Sequence, residues 1–184
     1  MTAYLLLTAL VFTMPFPPLA GDPQSLPLQV VKSVDLARYC GTWYEIARLP
    51  NRFQKDCVSD VTATYTLLED GTVGVVNRCR KANGEISEAE GKARRKSAED
   101  PPSKLEVRFA PPFLSIFPFV WGNYWIIDLA PDYTYAVIGE PSREYLWILS
   151  RTPVLGGDVY SAILERIRDQ GYDLTALVMT KQGQ

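Results

Sequence analysis

Through the middle of this chain, apolar and polar residues alternate one for one, and that pattern limits the fold more than any other feature. In VTATYTL (61–67) the odd positions are Val61, Ala63, Tyr65 and Leu67, while every even position is Thr. A period of two belongs to strands with one face buried. After the turn tripeptide EDG (69–71), Val73, Val75 and Asn77 repeat it. Ala89, Gly91 and Ala93 then alternate with Glu88, Glu90, Lys92 and Arg94, and Leu105, Val107 and Phe109 with Lys104, Glu106 and Arg108. NYWIIDL (123–129), YAVIG (135–139) and EYLWILS (144–150) are apolar on both faces, so something must cover them from outside. DVYSAILERIRDQG (158–171) supplies a cover. Val159, Ala162, Ile163, Leu164 and Ile167 share a stripe at helical spacing, with Asp158 expected as N-cap and Gly171 as C-cap. LTALVMT (174–180) reads as one last strand. The expected fold is all-β: an eight-stranded antiparallel up-and-down barrel, one C-terminal amphipathic helix and a short final strand.

Composition narrows the chemistry. The chain has 184 residues, 47% of them apolar, which suits one domain with a real core. Its formal net charge of −2 offers no basic field for nucleic acid. It contains no histidine, which removes Ser-His-Asp and Cys-His catalysis, His-containing zinc sites and haem on an axial His. No metal or cofactor is expected. The run AYLLLTALVFTMPF (3–16) is too short to span a bilayer but suits a secretory signal over residues 1–21. The other reading of that run is a buried element of the mature domain. Residues 22–32 read as an extended leader and 33–184 as the domain.

The inward face mixes large residues (Tyr65, Phe109, Trp147) with very small ones (Ala63, Ala89, Gly91, Ala93). Small residues leave volume for a cavity, or they let another group approach closely. The stretch APPFLSIFPFVWG (110–122) is unusually apolar for a loop, with Phe113, Phe117, Phe119 and Trp121 foremost. Three explanations stand: a rim that meets membrane or lipid, a lid, or packing against the loop at 48–57. A protein interface, in a homodimer, is a further use of the same residues.

With GTW (41–43) opening the first strand, PDY (131–133) between later strands and SRTP (150–153) ending the eighth, the sequence resembles the lipocalins. GTWYEIARLPNRF, VTATY, EGKA and YLWILSRTP resemble in particular the bacterial outer-membrane and apolipoprotein D branches of that family. The resemblance implies a lipocalin barrel whose base is closed by Gly41 and Trp43 under Arg151. It places the loops near 48–57, 80–86, 110–122 and 139–144 at the open end. Parity together with the resemblance nominates Tyr65, Asn77, Phe109, Tyr124, Trp147 and Leu149 as ligand-binding residues, the other reading of each being plain core packing. The implied partner is a small lipophilic ligand such as a fatty acid or lysophospholipid.

Cys57 and Cys79 flank the first hairpin at its open end, where relatives of the bacterial type often carry cysteines, and a disulfide there is expected in an oxidising compartment. Cys40 is left as a small unpaired thiol at the floor. Catalytic residues are not expected: the enzyme alternative needs a pocket thiol, as in the isomerising lipocalin, and no base stands ready to activate one. Many bacterial relatives carry an acylated cysteine after Leu-Ala-Gly, whereas here Leu19, Ala20 and Gly21 precede Asp22. The expectation is an exported, periplasmic protein near the outer membrane without that lipid anchor.

Overall fold

The computed structural model describes residues 26–183. The readings of residues 1–21 as a signal and of the Asp22 position fall outside the described residues. A short helix α1 (Leu36–Tyr39) leads into β1 (Gly41–Arg48), followed by β2 (Cys57–Leu67), β3 (Val73–Lys81), β4 (Ile86–Arg95), β5 (Lys104–Arg108), β6 (Gly122–Leu129), β7 (Tyr135–Gly139) and β8 (Leu146–Ser150). Helix α2 (Gly157–Asp169) and a two-residue strand β9 (Val178–Met179) complete the chain. Each strand from β2 to β7 pairs antiparallel with the next, β8 pairs with β1, and β1 returns to β2. The sheet closes on itself, as the alternation predicts.

The closure has a seam. β1 and β2 pair only over Gly41–Tyr44 against Thr62–Tyr65. Above that, β1 carries an irregularity between Glu45 and Ala47, and β2 turns at Asp60, whose φ is +54°. The C-terminal segment enters the gap: β9 pairs with Ala47 and Arg48, and the Asp60 amide donates to Lys181 O at 2.8 Å. Gln182 Nε2 then donates to both Glu45 O (2.7 Å) and Val61 O (2.9 Å), tying the two parted strands together. The last strand is therefore wall material, and shorter than the seven residues expected from sequence.

Two cores result. Inside the barrel lie Trp43, Ala63, Tyr65, Val73, Val75, Ala93, Ile126, Ala136, Ile138 and Leu149. Outside, Ile163 and Ile167 of α2 pack on Ile127, Val137, Leu146 and Ile148, the outer face that the doubly apolar strands required. Leu28 and Val30 of the leader join this outer layer, and Val31 bonds Ile126 O through its amide at 3.0 Å. Residues 26–32 are thus part of the body's cover.

The helix ends differ from expectation by a residue or two. Gly156 is the N-cap, and Asp158 sits in the first turn, where its carboxylate meets the positive end of the helix dipole. Gln170 is the C-cap and Gly171 the residue beyond it, at φ +83°, a conformation glycine adopts without strain. Val159 is exposed, so the buried stripe is narrower than the periodicity suggested. Helix α1 is an addition: Asp35 caps it by accepting from the amides of Ala37 and Arg38.

Candidate functional site: the barrel floor, interior and mouth

The floor is built from α1, the start of β1 and the end of β8. The Trp43 ring is fully buried, packs against the Tyr39 ring with centroids 5.1 Å apart and planes tilted by 35°, and donates its indole N–H to Tyr39 O at 2.8 Å. The guanidinium of Arg151 lies over the outer face of that indole, 3.8 Å from the ring centroid. It is held there by donation to the carbonyls of Arg38 (2.7 Å), Tyr39 (3.1 Å), Thr42 (3.1 Å) and Tyr133 (3.3 Å). Gly41 has φ +99°, and a Cβ on it would stand 3.2 Å from Arg151 Nη1. Glycine is required there both by the backbone and by the closeness of the arginine. Cys40 is a free, partly buried thiol beside this floor, and burial pushes its pKa up.

Above the floor the lumen is aromatic. Tyr39 Oη and Tyr124 Oη are 2.7 Å apart, and Tyr124 Oη donates to Tyr65 Oη at 2.7 Å. Burial raises the pKa of all three phenols. The sequence nominated Tyr65 and Tyr124 but missed Tyr39, which precedes the first strand and so has no parity to read. Ala63 pairs with Asn77 and Asn77 with Ala89, one inward row that runs from buried to half-buried to exposed. Phe109 lies against Gly91: a Cβ there would stand 2.7 Å from the Phe109 ring. At Gly91, then, the small residue admits a neighbouring ring, the second of the two readings of the small inward residues. Leu149 is buried in the inner core, and Trp147 packs against it half-buried.

One inward residue the sequence reading passed over is Glu45. Only 2% exposed, it accepts from Arg48 Nη1 (2.7 Å) and Gln54 Nε2 (2.6 Å), and from the Thr180 hydroxyl. Gln54 Oε1 in turn accepts from the Trp147 indole N–H at 2.8 Å. A carboxylate buried in a wall survives only when so bonded. The signal was present: with Trp43 inward, parity puts Glu45 inward too.

An antiparallel eight-stranded barrel closed by a Gly-x-Trp under an arginine is specific enough to compare with known proteins. Residues 34–182 match the family described as Lipocalin-like domain. The chain is a lipocalin. It is 45% identical over 157 residues to temperature-induced lipocalin-1 of Arabidopsis thaliana, covering 85% of this chain and 83% of that one. To outer membrane lipoprotein Blc of Escherichia coli (strain K12) it is 38% identical over 154 residues (83% and 82% covered), and to apolipoprotein D of Mus musculus 30% over 172 residues (89% and 84%). Among solved structures, insecticyanin from the tobacco hornworm Manduca sexta superposes with a TM-score of 0.62 at 22% identity, covering 85% of both chains, which attests the fold. Lipocalins are generally binders of small hydrophobic ligands and generally not enzymes.

At the open end of this lipocalin, Cys57 and Cys79 form a disulfide across the β2–β3 ladder, with Cα atoms 5.6 Å apart. The loop between β5 and β6 divides into two parts. Trp121 is anchored: its ring receives the guanidinium of Arg94 at 4.0 Å and of Arg108 at 5.3 Å, and its N–H donates to Ser115 O at 2.9 Å. Phe113, Ile116 and Phe119 are 75%, 78% and 81% exposed, and Phe117 stacks on Phe119 with centroids 5.4 Å apart. These rings stand away from the barrel, unlike a closed lid.

Proposed function

We propose that this lipocalin binds a single lipophilic molecule, a fatty acid, lysophospholipid or similar lipid, in the upper half of its barrel, and that it is an exported carrier or scavenger serving the periplasmic side of a cell envelope. One observation carries the reading: inward positions are sealed at the floor and open progressively toward the mouth. Trp43 and Tyr65 are buried, Asn77 and Trp147 are half-buried, and Ala89 and Phe109 are exposed. Apolar walls with a few polar atoms suit an acyl chain, each buried methylene contributing about 0.8 kcal/mol. Tyr65, Asn77, Phe109, Tyr124, Trp147 and Leu149 are the proposed contacts. The Cys57–Cys79 bond favours an oxidising compartment, hence export. It also consumes the one inward thiol, while Cys40 lies at the floor with its pKa raised, so binding without catalysis is the expected role.

Native mass spectrometry of the protein purified from its host should find a lipid of this class, and titration with fatty acids and lysophospholipids should saturate at one per barrel. An empty barrel that rejects both classes refutes the proposal, and a lipid bound at two chains to one would replace it with a dimer seam. The exposed Phe113, Ile116 and Phe119 make the β5–β6 loop a membrane-contacting rim. Phe113→Asp with Phe119→Asp should then lower co-sedimentation with phospholipid vesicles at least several-fold while leaving fatty-acid affinity unchanged. Unaltered co-sedimentation would remove the membrane part of the reading.

A further inference from the structure

The tyrosine chain above the floor has one hydrogen to spare. Three hydroxyls carry three hydrogens, and two hydrogen bonds join them. Tyr124 gives its hydrogen to Tyr65, so the bond between Tyr39 and Tyr124 must be donated by Tyr39. The chain runs Tyr39 to Tyr124 to Tyr65, and the Tyr65 hydrogen is left over. Tyr65 is only 5% exposed, and among the described residues none accepts that hydrogen. A buried donor without an acceptor costs on the order of 1–3 kcal/mol, so such groups nearly always have a partner.

Resting on the carrier reading above, we infer that the deep end of the ligand carries a neutral oxygen acceptor, a ketone, ester or ether, which takes the hydrogen of the Tyr65 hydroxyl. Charge decides against a carboxylate there. Glu45 is the ionic group that acts on Tyr65, and it disfavours a second negative charge beside it. The two nearby cations are engaged elsewhere: Arg48 is paired with Glu45, and Arg151 lies on the outer side of Trp43, bonded to four backbone carbonyls. An anionic head would be desolvated without a counter-charge, so it stays at the mouth. A donor-only group such as an ammonium meets the spare hydrogen with another hydrogen and is excluded as well.

The experiment uses the full chain, dodecanoic acid, and a set of oxo-dodecanoic acids in which one ketone is moved along the chain. Calorimetric dissociation constants are measured for the wild type, Tyr65→Phe and Tyr39→Phe. At one ketone position, the ratio of oxo-acid to dodecanoic acid affinity should be about fivefold higher in the wild type than in Tyr65→Phe, the weight of one net buried hydrogen bond. Tyr39→Phe should keep the preference at that position, because Tyr124 still donates to Tyr65 and the Tyr65 hydrogen is still left over. In Tyr65→Phe the hydrogen left over is that of Tyr124, so any remaining preference moves to another ketone position. Equal ratios in the wild type and Tyr65→Phe at every ketone position overturn the inference while leaving the carrier reading intact. Failure of dodecanoic acid itself to bind the wild type overturns the carrier reading and this inference with it.

Discussion

Replacing Arg151 by alanine tests whether the floor is held by the arginine or merely decorated by it. The guanidinium sits 3.8 Å from the Trp43 centroid, a contact worth about 0.5–2 kcal/mol. Its four carbonyl bonds join α1, β1 and the β6–β7 turn to the end of β8. Each charged hydrogen bond contributes about 1.5–3 kcal/mol when fully buried, but Arg151 is partly exposed and the freed carbonyls rehydrate, so the four together count for roughly 2 kcal/mol. Uncovering one face of a fully buried indole adds on the order of 1 kcal/mol. The sum is about 4 kcal/mol, or a fall in Tm of about 8–16 °C for a chain this long.

Urea unfolding followed by tryptophan fluorescence measures the loss, and near-UV circular dichroism reports whether Trp43 remains ordered. Arg151→Lys should recover only part of it, since an ammonium keeps the charge but cannot span carbonyls on three elements with one planar fork. Fatty-acid affinity should change less than threefold in both variants, because the guanidinium lies outside the lumen. A loss below about 0.5 kcal/mol in Arg151→Ala, or full recovery by lysine, would refute this account of the floor.

Two further outcomes follow from the covalent and ionisable groups. The denatured, unreduced protein should titrate as one thiol, Cys40, and as three after reduction. Opening the Cys57–Cys79 link, which closes a sequence separation of 22 residues, should cost about 3 kcal/mol in urea unfolding, whereas a loss near zero would place the constraint elsewhere. At alkaline pH, burial pushes Tyr172 up to about 12 and raises Tyr39, Tyr65 and Tyr124 as well. Their folded pKa values exceed the unfolded value near 10, so above that pH the folded state binds more protons than the unfolded one. The stability they contribute is fully present below about pH 10 and is lost as pH rises through the folded values. A pH-stability profile by urea unfolding should fall in that window, and early tyrosinate absorbance from all ten tyrosines of the chain, with no loss of fold, would contradict it.

What the sequence could reveal about this barrel divides along the range of the physical signal. Alternation is local, and so the strands, their facing and the need for an outer cover were all legible from residues 61–150. The floor was legible because Gly41, Trp43 and Arg151 are residue types with few other uses in that arrangement. Parity, however, says which way a side chain points and is silent about what fills the space it points into. Gly91 shows the difference: its inward position was readable, but the Phe109 ring that occupies its place came from the next strand's register. Tyr39 lies in a four-residue helix with no period to detect, and only the barrel's closure brings its hydroxyl to Tyr124. The leader likewise has no periodicity, yet Leu28 is buried because the outer faces of β6 to β8 need more cover than two buried isoleucines of α2 can give. Glu45 is the instructive case. A charged residue at an inward position of a strand must be bonded on all sides or it would not be there, so parity alone predicts a polar cluster at that point. Its members, Arg48, Gln54 and Thr180, come from the same strand, the rim loop and the chain's end. The seam between β1 and β2 is what brings that chain end within reach, and the seam exists because an irregularity at 45–47 and a left-handed Asp60 bend the two strands apart. The buried carboxylate and the parted strands are therefore one feature: the gap admits the C-terminal segment, and the carboxylate gives Thr180 a reason to stay.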